Sequence, residues 1–455
     1  MTRQEKDSLG IIEVPKNSYC GSFSTRALGN FQNSSLRAAP SFLSAFTWIK
    51  MAAAKVNTDL GHLELKLSEA ILQAGEEYLS GKFDEFSDLD IYQAGAGTPF
   101  NMNINEILAN RANEILGGHL GTYEFVHPNN HVNMAQSSND TNPTAIRIAA
   151  IMDLQGLMHV GTDLINGLEM KASEFSEFVK VGRTHLQDAV PITLGQEFAA
   201  YASAIRHSLA RLDSARMELT QLGIGGTATG TGINTHPDFS EKMCLELSRL
   251  SGQDFTPAEN LIETTHSMAA FQAVSAALTS LATELLRIGN DLRLLSSGPF
   301  AGIGEIRLPE VQPGSSIMPG KVNPSIIECM SQISIQVMGL NHAISLAAQQ
   351  GQLELNWYTP LIMWDLLHMI EILTNGMRMF DEKCIRGIEA QTKRMKELVE
   401  KSTILATALA PSIGYQHVAE RVHEAIERDV PFVSLISEDY AHLLDAKAMT
   451  QPNRS

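Results

Sequence analysis

The amino-acid sequence predicts an all-α fold in which long helices pack into a central bundle. In the middle of the chain, apolar residues recur at spacings of three and four, the periodicity of an amphipathic helix. Some of these runs approach about 30 residues, or roughly 45 Å of helix. The alternating pattern of a half-buried strand is nearly absent. Helices of this length must bury their apolar stripes against one another, so a bundle is expected.

Five long helical runs account for most of this pattern. The first follows Pro143, which fits the first position of a helix capped by Asp140 or Thr141. Because five long helices expose much surface, some of their apolar residues are expected to contact other subunits. The four later runs cover approximately 191–222, 258–295, 324–350 and 360–393.

The chain is expected to form three domains. Its 455 residues suggest this number at about 150 residues per domain. Short helical patterns mixed with turns precede the five runs, and shorter helices follow them. We therefore expect an N-terminal mixed helical domain at 1–136, a central helix-bundle domain at 137–394 and a small C-terminal helical domain at 395–455.

Charge and composition argue against several classes of function. Acidic residues outnumber basic ones by 51 to 34, a net charge of −17, which opposes broad binding to nucleic acid or anionic lipid. The segment MTRQEKDSLG at the N-terminus lacks the apolar core of a signal peptide. No run of about 18 consecutive apolar residues predicts a membrane span. We therefore expect a cytoplasmic protein with neither a nucleic-acid nor a membrane partner.

Sequence patterns that resemble metal and nucleotide sites fail on inspection. The four cysteines show no CxxC spacing, and His127 and His131 lie four apart in a segment rich in Asn and Pro rather than on a clear helix, so no metal site is predicted. The run from Gly314 to Lys321 lacks the spacing and the final Ser/Thr of a phosphate loop. The glycine-rich run 223–232 does not give GxGxxG after a strand.

Four polar segments between the apolar runs carry the candidate chemistry. They share short donors, namely Ser, Thr and Asn side chains and the N–H groups of glycine-rich backbone, which suit carboxylates when they lie at helix N-termini. Each segment also has a purely structural interpretation: Ser137, Ser138 and Asn139 can simply cap a helix, and His185 can belong to an ordinary loop. The four segments are 95–106, 136–140, 182–188 and 314–324.

The last of these segments, GSSIMPGKVNP at 314–324, closely resembles the signature loop of the fumarase/aspartase superfamily. Five further segments resemble the same family and follow in the family's order along nearly the whole chain. They are RQEKDSLGIIEVP (3–15), NMNINEILANRA (101–112), QSSND (136–140), GRTHLQDAVPITLGQE (182–197) and GTGINTHP (230–237).

This resemblance implies a fold, an assembly and a reaction. The fold is a three-domain helical subunit with a central five-helix bundle, in a homotetramer whose active sites are each built from three subunits. The reaction is an elimination from a small dicarboxylate substrate to give fumarate, and it needs neither an organic cofactor nor a metal. Loss of the site, as in lens proteins related to the family, is opposed by the retained Ser315, Lys321, Asn323, His185 and Glu328.

Two activities of the family compete, and the sequence favours removal of ammonia from L-aspartate. The segments at 95–98, 259–265, 290–299, 308–316 and 351–356 look more like aspartase. The segments QSSND, GINTHP and SIGYQHVAE look more like class II fumarase, which removes water from L-malate. Pro99, Phe100 and Phe300 depart from the family pattern, and Phe100 and Phe300 point to a third alternative, a lyase for a related amino acid. Phe100 in particular is expected to reshape the substrate pocket.

The resemblance also implies a role for each candidate residue. Ser315 is the general base that removes a proton from C3 of the substrate, giving an aci-carboxylate. His185 is contributed by another subunit and pairs with Glu328. Lys321 supplies positive potential to the loop that carries Ser315 and, with Asn323, holds a substrate carboxylate. The remaining residues hold the substrate and its carboxylates: Thr98, Ser137, Ser138, Asn139, Thr184 and Ser316.

Overall fold

The computed structural model describes residues 1–452 and is mostly helical. The α-helices of this part of the chain are α1 (Ser22–Asn30), α2 (Pro40–Asp59), α3 (Leu65–Leu79), α4 (Thr98–Ile115), α5 (Ser138–Glu174), α6 (Leu194–Arg216), α7 (Phe239–Ser251), α8 (Leu261–His266), α9 (Ala269–Leu295), α10 (Ser325–Ala348), α11 (Thr359–Lys383), α12 (Thr392–Lys401), α13 (Ala410–Ile413) and α14 (Tyr415–Arg428).

The strands form small two-stranded sheets rather than a layer of their own. Three pairs are antiparallel, β1 with β2, β3 with β4 and β7 with β8, and β5 with β6 is parallel. Their bounds are β1 (Thr2–Asp7), β2 (Gly10–Pro15), β3 (Val179–Thr184), β4 (Gln187–Thr193), β5 (Gln221–Leu222), β6 (Thr256–Pro257), β7 (Ile306–Arg307) and β8 (Glu389–Ala390).

The five predicted helical runs are present as α5, α6, α9, α10 and α11, and shorter helices follow them as expected. Three predicted helix starts are wrong. The run predicted at 258–295 is divided between the short helix α8 and α9, which begins only at Ala269. Helix α5 begins at Ser138, so Pro143 lies inside the helix rather than at its first position. Pro191 lies in β4, and α6 begins three residues later at Leu194. The hairpin that precedes α6 was missed because buried and exposed positions do not alternate regularly along either of its strands.

The chain forms two compact units, each made of three segments. The first unit contains Met1–Leu157, Arg211–Thr279 and Gln336–Ile372, and the second contains the described residues of Met158–Ala210, Ser280–Ile335 and Leu373–Ser455. The three-domain division at 1–136, 137–394 and 395–455 stays a prediction.

Helix α9 is unusually apolar over its length. Within residues 1–452 it is the one helix whose length and composition would allow it to cross a membrane, and half of its most apolar window is buried inside the protein. Its buried residues include Phe271, Leu278, Leu281 and Leu285, spaced by three, four and seven. This stripe is the pattern of a helix that packs in a bundle.

Candidate active site

The predicted site residues fall into two sets, one in each compact unit. Thr98, Ser137, Ser138 and Asn139 belong to the first unit. The second unit holds the remaining predicted residues, which are Thr184, His185, Ser315, Ser316, Lys321, Asn323 and Glu328.

Thr98 is the first residue of α4 and follows a tight left-handed turn. Gly95, Ala96 and Gly97 have φ values of 68°, 52° and 81°, a region that L-residues other than Gly, Asn and Asp rarely adopt. A Cβ at Gly97 would collide with the side chain of Asn142. The turn therefore sets Thr98 at the helix N-terminus, where its hydroxyl lies 2.7 Å from the hydroxyl of Ser138. Two predicted donors are thus brought together.

Helix α5 begins with a reciprocal cap that engages part of the predicted donor set. The Ser137 hydroxyl accepts a hydrogen bond from the Asn139 N–H at 3.2 Å, and the Asp140 carboxylate accepts one from the Ser137 N–H at 2.9 Å. The Asn139 side chain donates to the carbonyl oxygen of Ala228 at 2.7 Å. Capping thus accounts for one contact of Ser137, whereas the hydroxyl of Ser138 contacts the hydroxyl of Thr98. A capping role does not exclude substrate binding, because a hydroxyl can accept and donate together.

Asp140 was missed as a functional candidate, and it organises this end of α5. It is 1% exposed, and its second carboxylate oxygen accepts hydrogen bonds from the N–H groups of Gly225 and Thr227 at 3.0 and 2.9 Å. Burial raises its pKa to about 6, against the opposing effect of the backbone hydrogen bonds. The glycine-rich run therefore supports the helix N-terminus. The Ser-x-x-Asp spacing of a capping box was the signal that could have identified Asp140.

Thr184 and His185 lie at the tip of the hairpin formed by β3 and β4. His185 and Leu186 both have left-handed backbone, with φ of 55° and 58°, and form a two-residue turn between the paired residues Thr184 and Gln187. Such turns favour Asn and Gly, and left-handed backbone at other residues costs on the order of 1–3 kcal/mol each. The strained turn presents His185 at an exposed position.

A buried group of charges anchors this hairpin. Glu305 is fully buried and binds the Arg183 guanidinium at 3.0 Å and the Lys180 ammonium at 3.1 Å. Lys180 also binds Glu197 at 2.9 Å. Burial raises the pKa of Glu197, and the adjacent Lys180 opposes that rise. The base of the hairpin is therefore fixed to the residues that precede the serine-bearing loop.

The serine-bearing loop, residues 314–324, leads into α10. The Ser315 hydroxyl oxygen accepts hydrogen bonds from the N–H groups of Ile317 and Met318, both at 3.2 Å. The Asn323 side chain donates to the Gly314 carbonyl oxygen at 2.7 Å and closes the base of the loop. Two backbone donors therefore converge on the predicted base, and positive dipoles of this kind favour a negatively charged oxygen.

Two other predicted site residues of this loop, and Glu328 shortly after it, are open to solvent. Ser316 and Lys321 are exposed. Glu328 is exposed in the first turn of α10, where the helix dipole favours a carboxylate. Within residues 1–452 of one subunit, no hydrogen bond or ion pair joins Glu328 to His185. Their pairing stays a prediction that involves a second copy of the chain.

Two residues that depart from the family pattern lie in very different surroundings. Phe100 is 1% exposed and packs edge-on against Phe42, with ring centroids 5.4 Å apart. It belongs to the apolar core, and its effect on the substrate pocket stays a prediction. Phe300 is 95% exposed.

His127 and His131 are engaged in a local turn. The His131 ring accepts a hydrogen bond from the His127 N–H at 2.9 Å, and the His127 ring accepts one from the Asn129 N–H at 3.1 Å. Together they stabilise the π-helical turn Pro128–Val132. Burial lowers the pKa of both imidazoles.

Comparison with known proteins gives the family context of these features. The family model described as "Lyase" matches residues 10–339. A class II fumarate hydratase of Bradyrhizobium diazoefficiens is 43% identical and covers 99% of this chain and 97% of its own length. One of Nitrosomonas europaea is 45% identical, with coverage of 93% and 92%. An aspartate ammonia-lyase of Pseudomonas fluorescens is 46% identical, with coverage of 96% and 92%.

Solved structures match over the full chain. A class II fumarase from Schistosoma mansoni superimposes with a TM-score of 0.97 at 38% identity and covers 100% of both chains. A protein from Brucella melitensis described as "fumarate lyase:delta crystallin" and bound to cobalt gives a TM-score of 0.96 at 42% identity, with coverage of 99% of this chain and 100% of its own. The predicted all-α fold of the fumarase/aspartase type is confirmed.

The expected preference for L-aspartate is wrong. Proteins named class II fumarate hydratase predominate among the relatives that match over nearly the full chain, and a full-length structural match is also a class II fumarase. The motif at 95–98 that favoured aspartase forms the left-handed turn before α4. Its residues therefore have a role in backbone geometry, which weakens the motif as an indicator of the leaving group.

Proposed function

Because the chain belongs to the lyase family that contains fumarases and aspartases, we propose that it is a class II fumarate hydratase, which interconverts L-malate with fumarate and water. The observation that carries this proposal is the full-length similarity to proteins named for that activity, at 43% and 45% identity. The segments QSSND, GINTHP and SIGYQHVAE support the same interpretation.

Ser315 removes the proton from C3 of L-malate in the proposed mechanism. The electrons of the broken C–H bond move toward the adjacent carboxylate and give an aci-carboxylate that carries extra negative charge. A serine hydroxyl is too weak an acid to act as an alkoxide without help. The N–H groups of Ile317 and Met318, each 3.2 Å from the Ser315 oxygen, support the charged form, with Lys321 as a further positive group of the same loop.

The two substrate carboxylates are held by hydroxyl, amide and ammonium donors. Thr98 and Ser138 stand at the N-termini of α4 and α5 with their hydroxyls 2.7 Å apart. Donors that are fixed before the reaction stabilise the transition state more than the ground state as charge develops on the carboxylate. Further carboxylate contacts are assigned to Ser137, Asn139, Thr184, Ser316, Lys321 and Asn323.

Departure of the C2 hydroxyl completes the elimination. It takes up a proton and leaves as water, and we assign this step to the side of the site that holds His185 and Glu328. His185 stands on a strained and exposed turn, as a group that reaches beyond its own subunit would. We therefore propose a homotetramer in which neighbouring subunits complete each site, and a cytoplasmic location.

A direct assay tests the assignment. Purified protein is given L-malate and L-aspartate separately, and the formation of fumarate is followed by its ultraviolet absorbance. Turnover of L-malate, with little or none of L-aspartate, is the expected result. Fumarate formed from L-aspartate alone would overturn the proposal.

A further inference from the structure

Lys50 is a buried lysine that no feature of the sequence marked as functional. It lies on α2 and is 0% exposed. Its ammonium nitrogen donates to three side-chain amide oxygens, those of Asn101 at 2.6 Å, Gln136 at 2.8 Å and Asn133 at 3.1 Å. A lysine is almost never fully buried unless it is paired with an acid. Within residues 1–452, no carboxylate forms an ion pair with Lys50.

The contacts fit the charged form of the lysine. An ammonium has three donors and no acceptor, and three acceptors surround this nitrogen. The ring of Phe46 lies 5.9 Å from it, within the range of a cation–π contact. Burial lowers the pKa of Lys50 to about 7, and the carboxylate of Asp140 opposes that shift from beyond contact distance. The positive charge is therefore solvated by neutral groups and is not cancelled by a contacting anion.

The partners of Lys50 lead directly to the proposed carboxylate-binding donors. Asn101 lies one turn after Thr98 on α4 and also accepts a hydrogen bond from Thr141 of α5 at 3.3 Å. Gln136 immediately precedes Ser137. One ammonium thus joins the start of α4 to the start of α5, where the hydroxyls of Thr98 and Ser138 meet.

We propose that Lys50 is a positioning residue for the carboxylate-binding donors, and that its buried positive charge favours a substrate carrying two negative charges. This inference rests on the proposed function, because it takes the donor set around Thr98 and Ser138 to bind a dicarboxylate. The protein carries a net charge of −17, so a dianion needs a locally positive site. In its charged form, Lys50 contributes part of that potential from behind the donors without touching the substrate.

The variant Asn133→Asp mainly changes the charge beside Lys50, and it gives up a long hydrogen bond from the Asn133 amide to the Gln136 carbonyl oxygen at 3.3 Å. It keeps Lys50 and gives it an ionic partner of nearly the same shape, so that the lysine charge is cancelled at contact. Binding of succinate and of its monomethyl ester is measured by calorimetry at about pH 6.5, where succinate is mostly a dianion. We expect the variant to bind succinate about tenfold more weakly while its affinity for the monoester changes about two- to threefold, since the loss scales with ligand charge.

The variant Lys50→Met gives a second, independent readout. It removes the charge and the three hydrogen bonds while keeping the length of the side chain. We expect kcat/KM for L-malate to fall at least about tenfold, with KM raised and kcat lowered, because the donors are both displaced and less positive. Lys55→Met is the matched control: it removes the same charge from the same helix, but at a solvent-exposed pair with Asp59, and is expected to leave both constants within about twofold.

The outcomes distinguish this inference from the function on which it rests. A wild-type protein that binds no dicarboxylate would overturn both proposals. A wild type that hydrates fumarate, together with an Asn133→Asp variant that binds succinate as tightly as the wild type, would overturn the role of Lys50 alone. Equal loss of succinate and monoester affinity would also overturn it, because a structural defect does not discriminate by ligand charge. If Lys50→Met fails to fold, the Asn133→Asp measurement decides.

Discussion

The substitution Glu305→Gln is expected to loosen the hairpin that carries His185. Glu305 is fully buried, and its two oxygens accept hydrogen bonds from both terminal nitrogens of Arg183 at 3.0–3.1 Å, while Lys180 lies 3.1 Å away. Glutamine has the same shape but no charge, and its amide NH₂ would face a cation. The change therefore removes the buried anion that joins the two cations.

The size of the effect follows from these contacts. Removing one partner of a buried ion pair costs about 3–5 kcal/mol. Lys180 keeps Glu197 at 2.9 Å, so the lower end, about 3 kcal/mol, applies. The turn at His185 and Leu186 stores on the order of 1–3 kcal/mol of strain at each residue. The free energy lost with the ion pair is therefore comparable to the strain energy of the turn. For this reason the hairpin is expected to open locally while the rest of the fold persists.

Amide hydrogen exchange measures this opening directly. A loss of about 3 kcal/mol corresponds to about a 100-fold faster exchange for the paired amides of Val179–Thr184 and Gln187–Thr193. The matched control is Glu310→Gln, which neutralises an exposed partner of Arg307 and is expected to cost less than about 1 kcal/mol. Exchange in the Glu305→Gln hairpin within about threefold of the wild type would refute the assignment of Glu305 as its anchor.

Three further substitutions test the site. Ser315→Ala is expected to lower kcat by about 10²–10⁴ with an unchanged circular dichroism spectrum, and near-normal turnover would remove Ser315 as the base. Burial raises the pKa of Asp140 from 3.8 to about 6, so the stability it contributes is fully present below pH 3.8 and is lost as the pH rises through 6. At about 1.4 kcal/mol per pKa unit, the loss of stability is about 3 kcal/mol. The urea midpoint of the wild type should therefore fall over this pH range, and that of Asp140→Asn should not. If the two midpoints change with pH in parallel, the reasoning is contradicted. Gly97→Ala places a side chain at φ 81° and against Asn142, whereas Gly61→Ala has a similar φ of 78° and open space. We expect the first to cost at least about 1 kcal/mol more than the second by urea unfolding, and equal costs would argue against the contact.

The long helices could be predicted because their signal is local and repeated. The stripe of Phe271, Leu278, Leu281 and Leu285 in α9 is visible in the sequence and is buried in the structure. The second helical run was expected to begin at Pro191. That start is wrong because proline occurs both in the first turn of a helix and in short edge strands. The pairing of β3 with β4 that decides between them depends on a partner segment, which a local pattern does not show.

The site could be predicted only in part, for a similar reason. Ser137, Ser138 and Asn139 stood out because short donors cluster in the chain, and the structure adds the cap by Asp140 that sets their geometry. Lys50 carried no signal, since a single lysine in an apolar helix normally reaches solvent. Its three partners come from distant parts of the sequence, so its role emerges only when the chain is folded.

The roles of some residues were predicted poorly because their burial and contacts depend on the folded structure. Phe100 was expected to alter substrate choice, and its packing against Phe42 in the core became visible only in the structure. The glycine-rich run was set aside as a failed nucleotide motif, and its N–H groups at Gly225 and Thr227 bind Asp140. The burial of a residue and the orientation of its polar groups decide which contacts it makes, and neither property can be predicted from composition.

Hydration of fumarate in D₂O, with ammonium present at equal concentration, tests the central claim most directly. The products are followed in one tube by proton NMR, with Ser315→Ala as the control. We predict L-malate that carries one deuterium at C3, delivered by the residue that removes the C3 proton in the reverse direction, and almost no product from the control. Formation of aspartate in place of malate, or an equally active Ser315→Ala variant, would contradict the account.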